Sequence, residues 1–477
     1  MDIPDPDVIF HGGYYYLITT TMHFFPGGEI LRSKDLKKWE HYSYVFDRLE
    51  STPAQRLEGD DHIYGKGMWA PSFRFYEGLF YVVFSSNDAH KTYLFRSQDL
   101  KGPWKRSEIK GFYHDPSLFF DEGRSYLVYG NTKIHLTELN EELTGPKDGG
   151  INRVIADDSG NPNLGFEGSH IYKINGRYCL FMIHSLRDRW RRVEAMYVSD
   201  SLEGEFTGGD IFDNDLGIRD SGIAQGGIIS GSEGDHMIMF QDSGALGRLP
   251  VVIPFEWLDG RPVFDDVYSV EECELEGLCG SDEFINGHKD FWQFDHEPDP
   301  DLVKFENGCH ITTDKICKNI FHAKNTLTQK TTGPKCSATV TVNAANLNNG
   351  DFAGLSAFQG DYAFVGITKE NNGLFAVMMS NTSKGGTWDL CEEEGLVEEK
   401  TAINDESINV RIECDFSKDQ ATCYVENKAG FVQIGTPHDL HFRLDHFTGV
   451  RFALSCFSTE KTGGTAVFNR FEYSVTR

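Results

Sequence analysis

The chain has 477 residues, of which 39% are hydrophobic and 13% aromatic, so it can bury sizeable cores and is too long for a single ordinary one. Its 45 basic and 73 acidic residues give a formal net charge of −28, which argues against nucleic acid and anionic membranes as partners. No apolar run has the length of a membrane span, and a neutral small or polymeric substrate is compatible with this charge.

The ten cysteines are scattered and form no Cys-x-x-Cys pair, and several lie within apolar strand patterns. We expect reduced core thiols and no zinc cluster, which favours a cytoplasmic location. The N-terminus lacks a basic region followed by an apolar stretch, although the first motif comes so early that a removed leader stays open.

From the N-terminus onward, a glycine followed by a short aromatic, strand-like run recurs five times. The copies are GYYYLITT (13–20), GLFYVVFSS (78–86), GRSYLVYGN (123–131), GRYCLFMIH (176–184) and GDHMIMFQD (234–242). Intervals of roughly 45 to 65 residues are typical of propeller blades with four strands each. The pattern predicts a five-bladed β-propeller over residues 1–285. The alternative is two packed β-sandwiches whose hairpins resemble one another by coincidence.

Beyond residues 280–300 the repeated phrase stops and a different β pattern begins. Alternating runs at 338–342, 362–367 and 408–412 are separated by turn signals at 348–350 and 371–373. Residues 286–477 are therefore predicted to form a β-sandwich that packs on the propeller.

Three acidic residues precede strands at equivalent places in three predicted blades, next to Pro or Gly. They are Asp5 in Pro-Asp-Pro, Asp115 in His-Asp-Pro-Ser and Glu167 in Phe-Glu-Gly-Ser. Strand ends from every blade converge on the channel of a propeller, so the three carboxylates are predicted to meet there. Taken singly, each would be read as an ordinary turn residue.

Four motifs occur in the order and phrasing of one enzyme family. They are PDPDVI (4–9), MWAPS (68–72), HDPSLF (114–119) and EGSHIY (167–172). With them the chain resembles glycoside hydrolase family 43, the β-xylosidases and α-L-arabinofuranosidases with a five-bladed propeller. The second half, with NTLTQK at 325–330, resembles the concanavalin-like jelly roll appended to xylosidase-like members.

The resemblance implies a role for each acid. Asp5 would be the general base that activates water, with Asp7 as a lower-ranked candidate. Glu167 would be the general acid, and Asp115 would orient it and raise its pKa through like charge.

Five further residues are predicted to bind substrate. Trp69, Phe24 and Phe25 would wall the sugar site, and Arg248 resembles the family arginine that contacts substrate and a catalytic carboxylate. Phe447 resembles a sandwich-domain aromatic that closes the pocket. Each of the aromatic residues has the alternative of a place in the core.

One departure from the family concerns a central ion. Many relatives have a histidine in blade five that holds Ca²⁺ or an ordered water, and here Gln225 stands in its place. A neutral amide is a weaker ligand, so a structural calcium ion is doubtful, and we predict no required cofactor and no metal among the catalytic groups.

These observations predict an inverting exo-glycosidase that releases β-D-xylose, α-L-arabinofuranose or both from xylan- or arabinoxylan-derived oligosaccharides. The expected partners are pentose-containing oligosaccharides, with no nucleic acid and no membrane, and a homo-oligomer is left open. The alternatives are an endo-arabinanase and a carbohydrate-binding propeller without turnover.

Overall fold

The structure, a computed structural model, describes residues 1–264, 268–269, 277–371, 373–391 and 393–476. Within these ranges the regular structure is β, apart from two single-turn 3₁₀ helices at Gly244–Leu246 and Ile320–His322. None of the helices described is long and apolar enough to cross a bilayer.

The first half forms five sheets in which strand order follows chain order. Blade one contains β1 (Asp7–His11), β2 (Tyr14–Thr19), β3 (Gly27–Ser33) and β4 (Trp39–Phe46). Blade two contains β5 (Ser72–Tyr76), β6 (Leu79–Ser86), β7 (Lys91–Ser97) and β8 (Lys105–Ile109). Blade three contains β9 (Ser117–Asp121), β10 (Arg124–Tyr129), β11 (Lys133–Glu138) and β12 (Asn152–Asp157). Blade four contains β13 (Glu167–Ile174), β14 (Arg177–Ser185), β15 (Arg192–Ser199) and β16 (Thr207–Phe212). Blade five contains β17 (Ile223–Gly231), β18 (Gly234–Asp242), β19 (Arg248–Leu258), β20 (Arg261–Phe264) and β21 (Tyr268–Ser269).

The five glycine-aromatic phrases are the second strands of the blades, β2, β6, β10, β14 and β18. These strands pack against a neighbouring blade on each face, so they read as continuous apolar runs and not as alternating ones. In β6, for example, Val82, Val83 and Phe84 are all fully buried. The predicted five-bladed propeller is confirmed, and the alternative of two sandwiches is wrong for this half.

The first strands of the blades surround a common axis. β1 contacts β5 and β17, β5 contacts β9, and β13 contacts both β9 and β17, which closes the ring. Residues at the starts of β1, β9 and β13 therefore come together although they are far apart in the chain.

The second half is a sandwich of two sheets with seven and eight strands. One sheet contains β22 (Gln293–Phe294), β25 (Leu327–Lys330), β27 (Asp351–Phe358), β28 (Tyr362–Glu370), β29 (Gly373–Asn381), β30 (Leu396–Ile403) and β35 (Arg451–Ser458). The other contains β23 (Val303–Phe305), β24 (Cys309–Thr312), β26 (Lys335–Asn346), β31 (Ser407–Asp415), β32 (Gln420–Asn427), β33 (Gly430–Gln433), β34 (His438–Asp439) and β36 (Thr465–Thr476). The runs predicted at 338–342, 362–367 and 408–412 lie in β26, β28 and β31, so the predicted sandwich is confirmed.

Alternation in the sequence follows burial in the sandwich. Along β26, Ala338, Val340 and Val342 face the core and are fully buried, while the residues between them are partly exposed. Asn348-Asn349-Gly350 lies between β26 and β27, whereas Asn372 of the second predicted turn lies outside the described residues.

The two halves are joined by an extensive interface. Phe25 of the propeller and Phe294 of the sandwich form a β-bridge, and Lys330 Nζ lies 2.5 Å from Glu29 Oε2. Asp282, between the last described strand of blade five and the first strand of the sandwich, pairs with Phe471 of the sandwich. Across this interface, loop residues of the sandwich reach the mouth of the propeller channel.

The nine described cysteines form no disulfide with one another. Eight are buried and Cys279 is half-buried, while Cys273 lies outside the described residues.

Candidate active site

A cavity of about 290 Å³ lies where the propeller axis meets the sandwich. Asp5, Asp115 and Glu167 all line it, and the sandwich contributes Phe447 and Trp388. Its size is near the lower end of the range for small-molecule sites. The three acids that the sequence singled out thus share one pocket.

Asp5 is held rigidly just before β1. It lies between Pro4 and Pro6 with φ +49°, a left-handed conformation that costs of order 1–3 kcal/mol outside glycine. Oδ1 accepts a hydrogen bond from Arg248 Nη1 at 2.8 Å and Oδ2 accepts one from Thr20 Oγ1 at 2.7 Å. Burial raises the pKa of Asp5, and Arg248 and Thr20 oppose that rise.

Asp7, the lower-ranked candidate for the base, does not line the pocket. Its carboxylate is fully buried and accepts hydrogen bonds from Phe73 N at 2.7 Å and Arg74 Nη1 at 2.6 Å. The backbone N–H of Val8 donates to the other oxygen at 2.9 Å. Asp7 therefore ties blade one to blade two and has no route to a substrate.

Asp115 and Glu167 lie together on the opposite side, with His114 between them. His114 Nε2 is 3.3 Å from Glu167 Oε2 and 3.4 Å from Asp115 Oδ2. Asn131 Nδ2 donates to Glu167 Oε2 at 2.7 Å. Asp115 has φ +45° and precedes Pro116, which repeats the backbone arrangement of Asp5.

Asp115 and His114 both have raised pKa values. Burial raises the pKa of Asp115 to about 7, with like charge from Glu167 and Asp5 adding to the effect and His114 opposing it. Burial alone would lower the pKa of His114, but the Asp115 and Glu167 carboxylates raise it to about 9. The carboxylates and the imidazole of this buried group thus influence one another's ionisation.

Trp69, Arg248 and Phe447 line the pocket, as expected. Phe24 and Phe25 do not. Both rings are buried, with 2% of their surface exposed. Phe24 lies beneath the guanidinium of Arg451 at 3.9 Å, and Phe25 packs in the core of the first two blades. The structure therefore does not place these two rings in the pocket wall, because both side chains point into the core.

Several pocket residues were missed by the sequence analysis. His114 and Asn131 contact the acid, Arg192 lines the pocket while donating to Asp242 Oδ2 at 2.7 Å, and Trp190 and Trp388 lie at the rim. His114 could have been found from its place directly before Asp115. Trp388 lies in a sandwich loop with no motif of its own, so nothing in the sequence marked it.

The axis beneath the pocket is too narrow for a hydrated calcium ion. The cavity there is about 10 Å³ and is lined by Asp5, Asp115, Ser169, His170 and Gln225, among others. That is about the space for one water, whereas Ca²⁺ takes six to eight oxygen ligands. Ser169 Oγ and His170 Nδ1 are buried without a hydrogen-bond partner among the described residues, which suits a single water.

Among the described residues, one group of His, Asp and Glu side chains has the spacing of a metal site. The ligand atoms of His114, Asp115 and Glu167 lie within 4.8 Å of one another. The Asp115 and Glu167 carboxylates raise the pKa of His114, so a protonated imidazole can balance their negative charge.

Comparison with known proteins identifies the family. The family model described as Glycosyl hydrolases family 43 matches residues 1–262, and the Beta xylosidase C-terminal Concanavalin A-like domain matches residues 281–474. The chain belongs to glycoside hydrolase family 43. Its C-terminal sandwich is of the concanavalin-like type.

Two curated relatives carry pentosidase names. The chain is 26% identical over 302 residues to a β-xylosidase of Formosa agariphila, covering 55% of this chain and 49% of the relative. It is 31% identical over 180 residues to a non-reducing end α-L-arabinofuranosidase of Bacteroides ovatus, covering 37% of this chain and 33% of the relative. The chain thus spans about half the length of these relatives or less.

Solved structures share the whole architecture. A bifunctional GH43-CE protein of Bacteroides eggerthii is 33% identical with a TM-score of 0.91, covering 100% of this chain and 63% of that one. A xylan β-1,4-xylosidase of Bacillus halodurans is 19% identical with a TM-score of 0.82, covering 99% of this chain and 98% of that one, which shows a shared fold.

Proposed function

We propose that this glycoside hydrolase is an inverting exo-enzyme that releases a non-reducing-end pentose, β-D-xylose or α-L-arabinofuranose, from xylan- or arabinoxylan-derived oligosaccharides. One observation carries the proposal. Asp5 and the Asp115–Glu167 group line a single small pocket, and side chains of the sandwich wall it. The names of the curated relatives support the choice of pentoses.

The base side of the reaction belongs to Asp5. A water bound beside its carboxylate would give a proton to it while the water oxygen attacks the anomeric carbon. Inversion needs the water and the sugar to fit between two carboxyl groups about 6.5–9.5 Å apart. Asp5 comes from blade one and Glu167 from blade four, so the two carboxylates reach the same pocket from different blades.

The acid side belongs to Glu167. Its proton passes to the glycosidic oxygen as the bond from that oxygen to the anomeric carbon breaks, so the leaving sugar departs with a hydroxyl. Asn131 and His114 fix Oε2 of Glu167. Asp115 would orient the acid through His114, whose Nε2 lies 3.4 Å from Asp115 Oδ2 and 3.3 Å from Glu167 Oε2. No cofactor takes part in this proposal.

Two alternatives fit the pocket less well. An endo-arabinanase needs a groove open at both ends, whereas Phe447, Leu444 and Trp388 of the sandwich form a wall here. A purely binding propeller has no need for buried carboxyls with shifted pKa values, which Asp5 and Asp115 both have.

The test is direct. Purified protein is incubated separately with 4-nitrophenyl β-D-xylopyranoside and 4-nitrophenyl α-L-arabinofuranoside, and with xylobiose followed by NMR. We expect turnover of at least one aryl pentoside and the inverted anomer as the first product. The retained anomer as first product would refute inversion. Cleavage of internal bonds in arabinan with no aryl pentoside turned over would favour the endo-enzyme.

A further inference from the structure

The sandwich loop between β34 and β35 contacts the arginine that binds the base. The guanidinium carbon of Arg248 lies 4.6 Å from the centre of the Phe447 ring. Arg248 Nη2 also donates to the backbone carbonyl of Phe447 at 3.1 Å. The other terminal nitrogen, Nη1, donates to Asp5 Oδ1 at 2.8 Å. One guanidinium therefore bridges the catalytic propeller and the appended domain.

A second connection lies beside the first. Asp2 accepts from the backbone N–H of Arg248 at 2.7 Å with Oδ1 and from Gly449 N at 2.9 Å with Oδ2. Gly449 permits this approach, because a Cβ there would be 2.2 Å from the carbonyl oxygen of Leu246. The backbone on both sides of the bridge is thus fixed.

The loop itself is held from within the sandwich. Gln359 Nε2 donates to the carbonyl oxygens of Arg443 and Thr448, each at 3.0 Å. Arg443 Nε donates to Asp445 Oδ2 at 2.8 Å. Phe447 has φ +57°, and its N–H bonds to Arg443 O at 2.9 Å, so the strained residue is fixed in place.

Arg248 depends on this support. Its Nε is buried and has no hydrogen-bond partner among the described residues, so the guanidinium is oriented by Asp5, the Phe447 carbonyl and the rings that face it. The Phe447 ring is the nearer of these, with its centre 4.6 Å from the guanidinium carbon, against 5.4 Å for Phe240. A guanidinium over an aromatic face gains about 0.5–2 kcal/mol. We propose that Phe447 is a positioning residue for the catalytic base, acting through Arg248, in addition to forming the pocket wall. This inference rests on the proposed function, since it takes Asp5 as the base.

The proposal predicts a shift in pH dependence. The groups that face Asp5 are Arg248, Thr20, Arg192, Asp2 and, across the pocket, Asp115 with His114. Burial raises the pKa of Asp5 and Arg248 opposes it, so a displaced Arg248 raises this pKa further. The base works only when deprotonated. The acid limb of kcat/KM must therefore move to higher pH when Arg248 loses its support.

The experiment compares wild type with Phe447→Leu and Phe447→Tyr on the preferred nitrophenyl pentoside across about pH 4 to 9. Phe447→Leu keeps an apolar side chain but loses the aromatic face, and Phe447→Tyr restores that face. The matched control is Phe431→Leu, because Arg411 stacks on Phe431 at 3.9 Å in the same domain, away from the pocket. Circular dichroism and melting temperature establish that each variant is folded.

We expect Phe447→Leu to lower kcat about 2- to 30-fold, the rate equivalent of the lost contact, and to move the acid limb of kcat/KM to higher pH. Phe447→Tyr should recover most of both changes, and Phe431→Leu should change neither. An increase in KM alone, with kcat and the acid limb unchanged, would leave Phe447 a wall residue and overturn the proposal. If Phe447→Leu does not fold, Phe447→Met is measured by the same criteria. A wild type that turns over no pentoside refutes the proposed function itself, before any variant is compared.

Discussion

At the residue scale, the two aspartates that each follow a proline near the start of the chain, Asp5 and Asp7, have different tasks. Asp5 faces the pocket, whereas Asp7 is fully buried in an ion pair with Arg74. Residues two positions apart in an extended segment point to the same side, so Asp5 and Asp7 would be expected to face alike. They do not, because the backbone at Asp5 has a left-handed φ of +49°. The PDPDVI motif offers both acids as candidates for the general base, and the backbone conformation shows which of them faces the pocket.

The first prediction distinguishes the two acids. Asp5→Asn should lower kcat about 10²- to 10⁴-fold per folded molecule, because the amide cannot accept the proton of water. Asp7→Asn should leave kcat per folded molecule nearly unchanged and destabilise the fold by about 3–5 kcal/mol, since it leaves Arg74 buried without its charge partner. Asp5→Asn also costs stability, because Arg248 loses its charge partner, so kcat is what separates the two variants. Denaturant unfolding and steady-state kinetics on both variants check this. Full activity in Asp5→Asn would remove the base assignment.

A second prediction concerns Glu167. Glu167→Gln should slow xylobiose hydrolysis far more than that of nitrophenyl xyloside, because an aryl oxide departs with less protonation. The ratio of kcat/KM for the two substrates is the measurement. Equal losses on both would show that Glu167 is not the acid.

The residues that the sequence could predict are those whose backbone setting is encoded locally. Asp5 and Asp115 precede prolines, and Glu167 precedes a glycine with φ +56°. The positions of Phe24 and Phe25 could not be predicted, because nothing in the local sequence indicates whether an aromatic ring faces a pocket or the core. Arg192 was missed because its place depends on Asp242 of another blade.

At the element scale, the second strands of the blades were the clearest signal, since burial on both faces produces unbroken apolar runs. Loops gave far less. The segment between β14 and β15 and the segment between β29 and β30 carry Trp190 and Trp388, which lie on the pocket with 54% and 59% of their surface exposed. The packing of the two domains decides which loops meet at the rim of the pocket, and local sequence patterns do not predict that packing.

These two tryptophans give the third prediction. Exposed aromatic rings at the mouth of a sugar pocket suit the leaving-group sugar, so Trp190→Ala and Trp388→Ala should each raise KM for xylobiose about 2- to 10-fold. Methyl β-D-xyloside, which has no leaving sugar to stack, serves as the control substrate and should change little. Equal changes on both substrates would place the rings against the cleaved sugar instead.

At the scale of the whole molecule, the propeller and the sandwich each supply one partner of a buried ion pair. Glu29 of blade one and Lys330 of the sandwich are both buried, and His41 Nδ1 lies 3.3 Å from Glu29 Oε1. Burial raises the pKa of Glu29, but Lys330 and His41 outweigh it and hold this pKa well below its ordinary value. Sequence alone could not pair these residues, which are 301 positions apart.

The last prediction tests this ion pair. A depressed carboxyl pKa stabilises the folded state above the ordinary pKa of glutamate, about 4.3, and the contribution is lost as pH falls toward the folded value. Lys330→Met should cost about 3–5 kcal/mol near neutral pH, because Glu29 is then a buried charge without its amine. The double variant Glu29→Leu with Lys330→Met should regain much of that loss, since replacing both partners by apolar groups removes the unpaired charge.

Calorimetric melting of the wild type and the variants from about pH 7 down to 3.5 measures both the loss of stability and its pH dependence. If the pair couples the domains, Lys330→Met lowers the melting temperature of both halves and its pH dependence below about 4.3 is weaker than that of the wild type. A melting temperature unchanged in Lys330→Met would mean that the apolar contacts around Phe25 and Phe294 hold the domains together without the ion pair.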